Sequence, residues 1–275
     1  MDYTNFISGA SSGIITKTLT SPLDRMKILY QTNNKVIVYE SSLIRNIRNV
    51  YETQGCLSFY RGNGVNIAKI VPAYSLKFTF NDYFRKLLWG RTTDLSLQQM
   101  MYSGVFTGIS LISILYPLDV VRTRFSVSPN SLSLPRYSLG VLKTEGVKGF
   151  YKGLRLSLLT GSTHISIQMS SYDMYKSQIE QKSVFSNLLC GAAAGITSQA
   201  IVYPGDLIRK KLHIDGSLSK SKTYTNTFDC IRQTLLHQGI RGFYRGIPIS
   251  ILKTIPSSAI QFSSYDYIKN LFRSD

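Results

Sequence analysis

Tyr116-Pro-Leu-Asp-Val-Val-Arg122 closes an apolar stretch that begins near Tyr102. The same pattern, Pro-x-Asp-x-x-Lys/Arg, recurs as Ser21-Pro-Leu-Asp-Arg-Met-Lys27 and as Tyr203-Pro-Gly-Asp-Leu-Ile-Arg209. The prolines stand 95 and 87 residues apart. Downstream of each lies a second element: Phe59-Tyr-Arg-Gly62, Phe150-Tyr-Lys-Gly153 and Phe243-Tyr-Arg-Gly246. A third follows: Asp82-Tyr-Phe-Arg85, Asp173-Met-Tyr-Lys176 and Asp266-Tyr-Ile-Lys269. Three elements in one order, three times over, define an internal repeat. The units are expected at 1–90, 91–182 and 183–275.

Each unit holds two long, weakly polar segments, six in all, at about 4–31, 63–88, 98–126, 154–181, 184–213 and 247–272. All exceed the ~20 residues a helix needs to cross a bilayer. The expected fold is therefore an all-α membrane protein with six transmembrane helices. Pro22, Pro117 and Pro204 should kink the first helix of each pair, and Pro72 and Pro256 the second and sixth spans. Gly9/Gly13, Gly104/Gly108 and Gly191/Gly195 have the spacing of helix-contact seams. Every span also carries Ser, Thr, Asn or a charge, as expected if one face of each lines a water-filled cavity.

Composition agrees. The chain of 275 residues has 32 Lys+Arg against 15 Asp+Glu, a net charge of +17, yet only 17% of its residues are charged and 43% are hydrophobic. That balance suits a membrane protein with basic loops more than a soluble nucleic-acid binder. The alternative of another class is a basic helical protein that binds membranes or nucleic acid without transport. Cys56, Cys190 and Cys230 are far apart and read as unpaired thiols. The start of the chain shows neither a secretory signal nor an Arg-rich transit pattern. No nucleophile–base pair and no metal-ligand spacing appears, so neither an enzyme nor a cofactor is expected.

The charged elements suggest gates. With the three kinked helices in a ring, Asp24 can pair with Arg122, Asp119 with Arg209, and Asp206 with Lys27. At the other end Asp82 can meet Lys176, Asp173 can meet Lys269, and Asp266 can meet Arg85. Partly exposed pairs are worth about 0–1 kcal/mol each, so such rings can open reversibly. Arg61-Gly62, Lys152-Gly153 and Arg245-Gly246 each open a helix, and a helix start after glycine can hold a lipid phosphate. Lys17, Lys69 and Lys253 lie in mid-span. Lys69 and Lys253 each stand three residues before a proline, and Thr160-Gly161 occupies the matching place in the fourth span. Three lysines on one cavity would bind phosphate oxygens.

These repeated elements resemble the mitochondrial carrier family over essentially the whole chain. The resemblance implies a pseudo-threefold barrel with short matrix-side helices near 41–53, 136–144 and 225–237. It also implies alternating access, a mitochondrial inner membrane or that of a reduced mitochondrion-related organelle, and bound cardiolipin. In that pattern Gln31 is the glutamine brace of the matrix gate, with Ser126 and His213 in its place in the other units. The acidic residue usual before the linker glycine is Glu145 in unit two, and Gln54 and Gln238 elsewhere. The mid-span positions, Lys17, Lys69, Thr160, Gly161, His164 and Lys253, become substrate contacts. Arg61-Gly-Asn-Gly-Val-Asn-Ile-Ala-Lys-Ile-Val-Pro72 is similar to the nucleotide-type branch: ADP/ATP, ATP-Mg/phosphate, coenzyme A and thiamine pyrophosphate carriers. An exchanger of adenine or related nucleotides is the leading expectation, with thiamine pyrophosphate or coenzyme A as alternatives. The expected partners are a phosphorylated small molecule and an anionic phospholipid, with no nucleic acid, and the expected working unit is a monomer.

Overall fold

The computed structural model describes residues 3–32, 43–90, 97–128, 133–179, 184–216 and 223–271. Among the described residues six long α-helices and three short ones follow one another in a fixed order. Unit one contributes α1 (Tyr3–Gln31), the short α2 (Leu43–Gln54) and α3 (Asn63–Trp89). Unit two contributes α4 (Leu97–Val127), α5 (Leu134–Glu145) and α6 (Leu154–Ser177). Unit three contributes α7 (Val184–Ile214), α8 (Thr227–Gly242) and α9 (Ile247–Leu271). The described residues contain no strand. The long helices close into a ring in chain order, α1 packing on α3 and on α9, α3 on α4, and α6 on both α4 and α7. The first helices of the three units also meet one another across the ring.

Pro22, Pro117 and Pro204 lie inside α1, α4 and α7, and Pro72 and Pro256 inside α3 and α9, while α6 carries none. By length and hydropathy alone only Tyr102–Val127 qualifies as a membrane span among the described residues. The other long helices are interrupted by the polar and charged residues that a cavity-lining face requires. Of the three glycine pairs, only Gly9/Gly13 forms a close seam. A Cβ at Gly9 would meet the Tyr74 ring at 3.4 Å, and one at Gly13 would meet Ile70 at 3.5 Å. Among the described residues nothing lies within 4 Å of a Cβ placed on Gly104, Gly108 or Gly191, and one on Gly195 would reach only Gln168 Nε2 of α6, at 4.0 Å.

Apolar packing concentrates at the short-helix end. Met26, Leu29 and Tyr30 of α1 pack with Val50 of α2, Phe59 of the linker, Val127 of α4 and Ile249 of α9. A second cluster joins Tyr203, Leu207, Ile208 and Leu212 of α7 to Cys230 of α8. α8 starts with Asn226 capping the Asp229 amide at 2.9 Å, and breaks at Gly239 (φ 64°).

The linker glycines show the repeat in backbone form. Gly62, Gly153 and Gly246 have φ of 89°, 80° and 87°, each just before a long helix. This left-handed turn lets the chain reverse from the linker into α3, α6 and α9. It also brings the turn against a neighbouring helix: a Cβ on Gly62 would lie 2.5 Å from Ser126 Oγ, and one on Gly246 3.0 Å from the Tyr203 hydroxyl. We expect Gly62→Ala to destabilise the detergent-solubilised protein by about 1–3 kcal/mol, from strain and the clash together. Gly64→Ala is the matched control. It sits inside α3 with nothing within 4 Å, so it should be neutral or stabilising by up to ~1 kcal/mol. Thermal midpoints measured side by side would test both.

Candidate functional site

The proline kinks bring the ends of α1, α4 and α7 together, and with them the Pro-x-Asp-x-x-Lys/Arg charges. Asp24 is held twice, by Arg122 Nη2 of α4 at 3.1 Å and by Lys253 Nζ of α9 at 2.5 Å. The first of these is the pair expected from the repeat. The other two expected pairs are not made. Asp119 takes Lys69 of α3 instead of Arg209, with Nζ at 2.7 and 2.8 Å from its two oxygens. Arg209 turns to Asp206 of its own helix at 3.3 Å and to the Ser157 hydroxyl at 2.9 Å. Lys27 bonds Ser250 at 2.9 Å and lies over the Tyr203 ring, 5.6 Å from its centroid.

The cause is competition. A lysine placed part-way along a membrane helix gains more from a carboxylate than from standing alone. Lys69 and Lys253 are long enough to reach the two carboxylates that the ring of three was expected to share. Lys17 has no hydrogen bond or ion pair among the described residues, and the charges it senses are those of Lys253, Asp24, Arg122 and Lys69. Lys210, which the repeat pattern did not single out, adds a further cation and donates to Thr123 Oγ1 at 2.9 Å. Its signal was only its place between two bases in Arg209-Lys-Lys211.

The fourth-span contacts point elsewhere than expected. Thr160 packs its methyl group where a Cβ on Gly205 of α7 would lie, at 2.4 Å, and its hydroxyl bonds back to Ser157 O at 3.3 Å. Gly161 faces Ile112 of α4. His164 meets the Ser198 hydroxyl of α7 at 3.4 Å. Thr160 is thus a helix-packing residue, seated in the notch that glycine leaves inside Pro-Gly-Asp.

At the opposite end the described charges stand apart. Lys176 lies over Tyr172 and Lys269 over Tyr265, each 5.4 Å from the ring centroid. Asp82, Arg85 and Asp173 form no ion pair among the described residues, and the side chain of Asp266 lies outside them. The ring of long helices is therefore tied by charge pairs at the short-helix end, while the described charges of the far end form none among the described residues.

Beneath the ring lies a set of ties that the sequence reading missed. The Arg25 side chain is buried and donates to Gln54 Oε1 (2.5 Å), Ser58 O (2.6 Å) and Ser126 O (3.1 Å). Arg124 forks onto both Glu145 oxygens (2.8 and 2.9 Å) and reaches His213 O at 2.5 Å. Lys211 bonds Thr234 and Gln238, both at 3.0 Å. Each unit thus fastens its first helix to the residue before its linker glycine. The available signal was a base seven residues after the proline in units two and three.

Tyr116 and Tyr203 donate to the Lys152 and Arg245 carbonyls, each at 2.9 Å. Unit one has Ser21 in that place, and Ser126 of α4 supplies the equivalent bond to Arg61 O at 3.2 Å. Gln31 lies beside the Tyr203 hydroxyl, yet its buried amide forms no hydrogen bond of good geometry among the described residues. The expected lipid-contact bases are partly engaged: Arg61 lies 4.9 Å from the Phe125 ring centroid, and Lys152 bonds Glu145 at 2.7 Å and Asp215 O at 2.9 Å. No group of three or more His, Cys, Asp or Glu comes together among the described residues.

The sequence pattern described as "Mitochondrial carrier protein" matches residues 2–92, 93–183 and 180–275. The chain belongs to the mitochondrial carrier family. Members of this family are transporters, not enzymes. Among its relatives is the "Mitochondrial carrier protein CoAc2" of Zea mays, 31% identical over 96% of this chain and 84% of the relative. The "Thylakoid ADP,ATP carrier protein, chloroplastic" of Arabidopsis thaliana is 30% identical, over 97% of this chain and 65% of its own length. The "Mitochondrial adenine nucleotide transporter ADNT1" of the same plant is 28% identical, over 97% and 86%. The carrier's relatives thus include chloroplast as well as mitochondrial proteins.

Glu145 gives the carrier a measurable handle at the end of α5. Burial alone would raise its pKa, but the hydrogen bonds from Arg124 and Lys152 outweigh burial and hold the carboxyl below the usual range. Its folded pKa is thus depressed below the unfolded value of about 4.3. The stabilisation is complete above that value and is lost as pH falls through the folded pKa. Glu145→Gln, which copies units one and three, should destabilise the carrier by about 1–3 kcal/mol at neutral pH. It should also remove this step from the acid limb of thermal stability against pH.

Proposed function

We propose that this carrier exchanges phosphorylated anions of the nucleotide type, adenine or related nucleotides, across the mitochondrial inner membrane or its counterpart in a reduced organelle. The single observation that carries this reading is the charge on the cavity floor. Lys17, Lys27, Lys69, Arg122, Arg209 and Lys253 stand, among the described residues, against Asp24, Asp119 and Asp206. An excess of three positive charges suits a di- or triphosphate and exceeds what a simple carboxylate needs. Relatives named for ADP,ATP, adenine nucleotide and CoA support the same class.

The mechanism follows from partner exchange. A phosphate that engages Lys69 and Lys253 competes with Asp119 and Asp24 for the same ammonium groups. Losing those partners loosens the floor formed by α1, α4 and α7, and the cargo can pass toward the matrix side. At the other end Asp82, Arg85, Asp173, Lys176, Asp266 and Lys269 then join to close the cytoplasmic side. Gln31 braces the matrix gate where its amide can reach a closing pair. Anionic phospholipid, cardiolipin by class, sits at the helix starts after Gly62, Gly153 and Gly246, and the carrier works as a monomer.

A second reading, a coenzyme A or thiamine pyrophosphate carrier, is supported on its coenzyme A side by the relative named CoAc2.

Uptake into liposomes with unlabelled competitors separates the two. ATP and ADP should compete. Competition by coenzyme A or thiamine pyrophosphate alone would replace the first reading by the second. Lys69→Ala and Lys253→Ala should each lower exchange roughly 10–100-fold, the worth of one charge-assisted bond to phosphate. Lys69→Arg should recover part of that rate. Normal exchange in both alanine variants would remove these lysines from the site.

A further inference from the structure

The three contacts among α1, α4 and α7 are unequal at the short-helix end. Between α1 and α4, Arg122 bonds Asp24 and Arg25 Nε donates to Ser126 O. Between α4 and α7, Arg124 Nε donates to His213 O, Tyr116 meets His213 Nε2 at 2.9 Å, and Lys210 reaches Thr123. Between α7 and α1 no ion pair and no hydrogen bond of good geometry is made among the described residues. Their polar contacts are Lys27 over the Tyr203 ring and the Gln31 amide beside the Tyr203 hydroxyl.

The asymmetry has a residue behind it. Arg25 and Arg124 each spend most of their planar fork on their own unit and one N–H on the carbonyl of the next unit's brace position, Ser126 or His213. The third unit carries Lys211, whose one ammonium nitrogen is held at Thr234 and Gln238 within unit three by two of its three N–H donors. An ammonium on a flexible stem lacks the spread of donors that lets a guanidinium bridge two units at once. The brace position it would have reached is Gln31, which is 1% exposed and has an unpartnered amide.

We propose that the matrix side of this carrier opens first at the seam between α1 and α7, with α4 still tied to both, and that Lys211 is the residue that leaves the seam loose. This rests on alternating access in the carrier fold and not on the identity of the cargo. Opening then resembles a ring unclasped at one joint, and the cavity floor meets water first beside Lys27 and Asp206.

The test uses the three equivalent brace positions. In a background of Cys56→Ser, Cys190→Ser and Cys230→Ser, single variants Gln31→Cys, Ser126→Cys and His213→Cys are reconstituted in liposomes. They are labelled without substrate by a membrane-impermeant maleimide. Gln31→Cys should react about tenfold faster than the other two. Adding Lys211→Arg should slow that labelling about tenfold, the effect of one charge-assisted hydrogen bond, and should slow exchange in the otherwise unaltered carrier. Equal labelling at the three positions overturns the proposal, as does faster labelling at Ser126→Cys or His213→Cys. So does Lys211→Arg with unchanged labelling. If Lys211→Arg does not reconstitute, the three labelling rates decide. Because no substrate is present, a wrong cargo assignment leaves this outcome untouched.

Discussion

An ammonium group part-way along a membrane helix needs an opposite charge, and in this carrier the carboxylates within reach belong to the kinked helix ends. Lys69 therefore holds Asp119 and Lys253 holds Asp24. Both interactions join a second-position helix to a first-position helix of another unit, so the floor of the cavity and the bond network beneath it are one structure. A free ammonium in low dielectric is expensive, and an unpaired carboxylate equally so. Neither partner can leave until something replaces it. In the proposed exchange, an anion supplies that replacement for the lysines, and rearranged Arg122, Arg209 and Lys27 supply it for the carboxylates.

The repeat, the six long helices, their proline kinks and the three short helices were all legible in the sequence, because each depends on local signals in register three times. Partner choice was not. Asp119 lies near Arg209 by symmetry, yet side-chain length and cavity position give it to Lys69. Thr160 illustrates a second limit. Its spacing marked a place on the fourth span, but Gly205 on another helix decided that its methyl group would pack there. Arg124 shows a third: no repeated element singled it out, yet it is 0% exposed and forks onto Glu145.

The backbone keeps the threefold symmetry that the side chains break. Gly62, Gly153 and Gly246 hold one conformation because the chain must reverse in one way in each unit. The hydroxyl that steadies each turn is free to come from either side of the joint. Tyr116 and Tyr203 supply it from above, and Ser126 supplies it across the seam where Ser21 is too short. Such exchange of a hydrogen-bond donor between neighbouring helices preserves the turn while changing what couples to it. His213 stands where Gln31 stands in unit one, and its ring joins α7 to α4 through Tyr116.

Energies separate what moves from what stays. The ties between Arg25 and Gln54, Arg124 and Glu145, and Lys211 and Gln238 are largely buried, and each lies within one unit. Neutralising one partner of the charged tie, Glu145 against Arg124, costs about 1–3 kcal/mol, so a unit's first and short helices travel together. The ion pairs between units at the helix ends are partly exposed, their side chains 11–29% accessible, and each carboxylate has a second cation nearby that can take over. A carrier requires that division. If the inter-unit bonds were as strong as the intra-unit ones, a cargo with the affinity of an ordinary substrate could not break the ring. If the intra-unit ties were as weak as the inter-unit ones, breaking the ring would unravel the short-helix end instead of opening it. Rigid units joined by substitutable contacts are the condition under which, in the proposed exchange, binding energy at three lysines becomes movement of three helices.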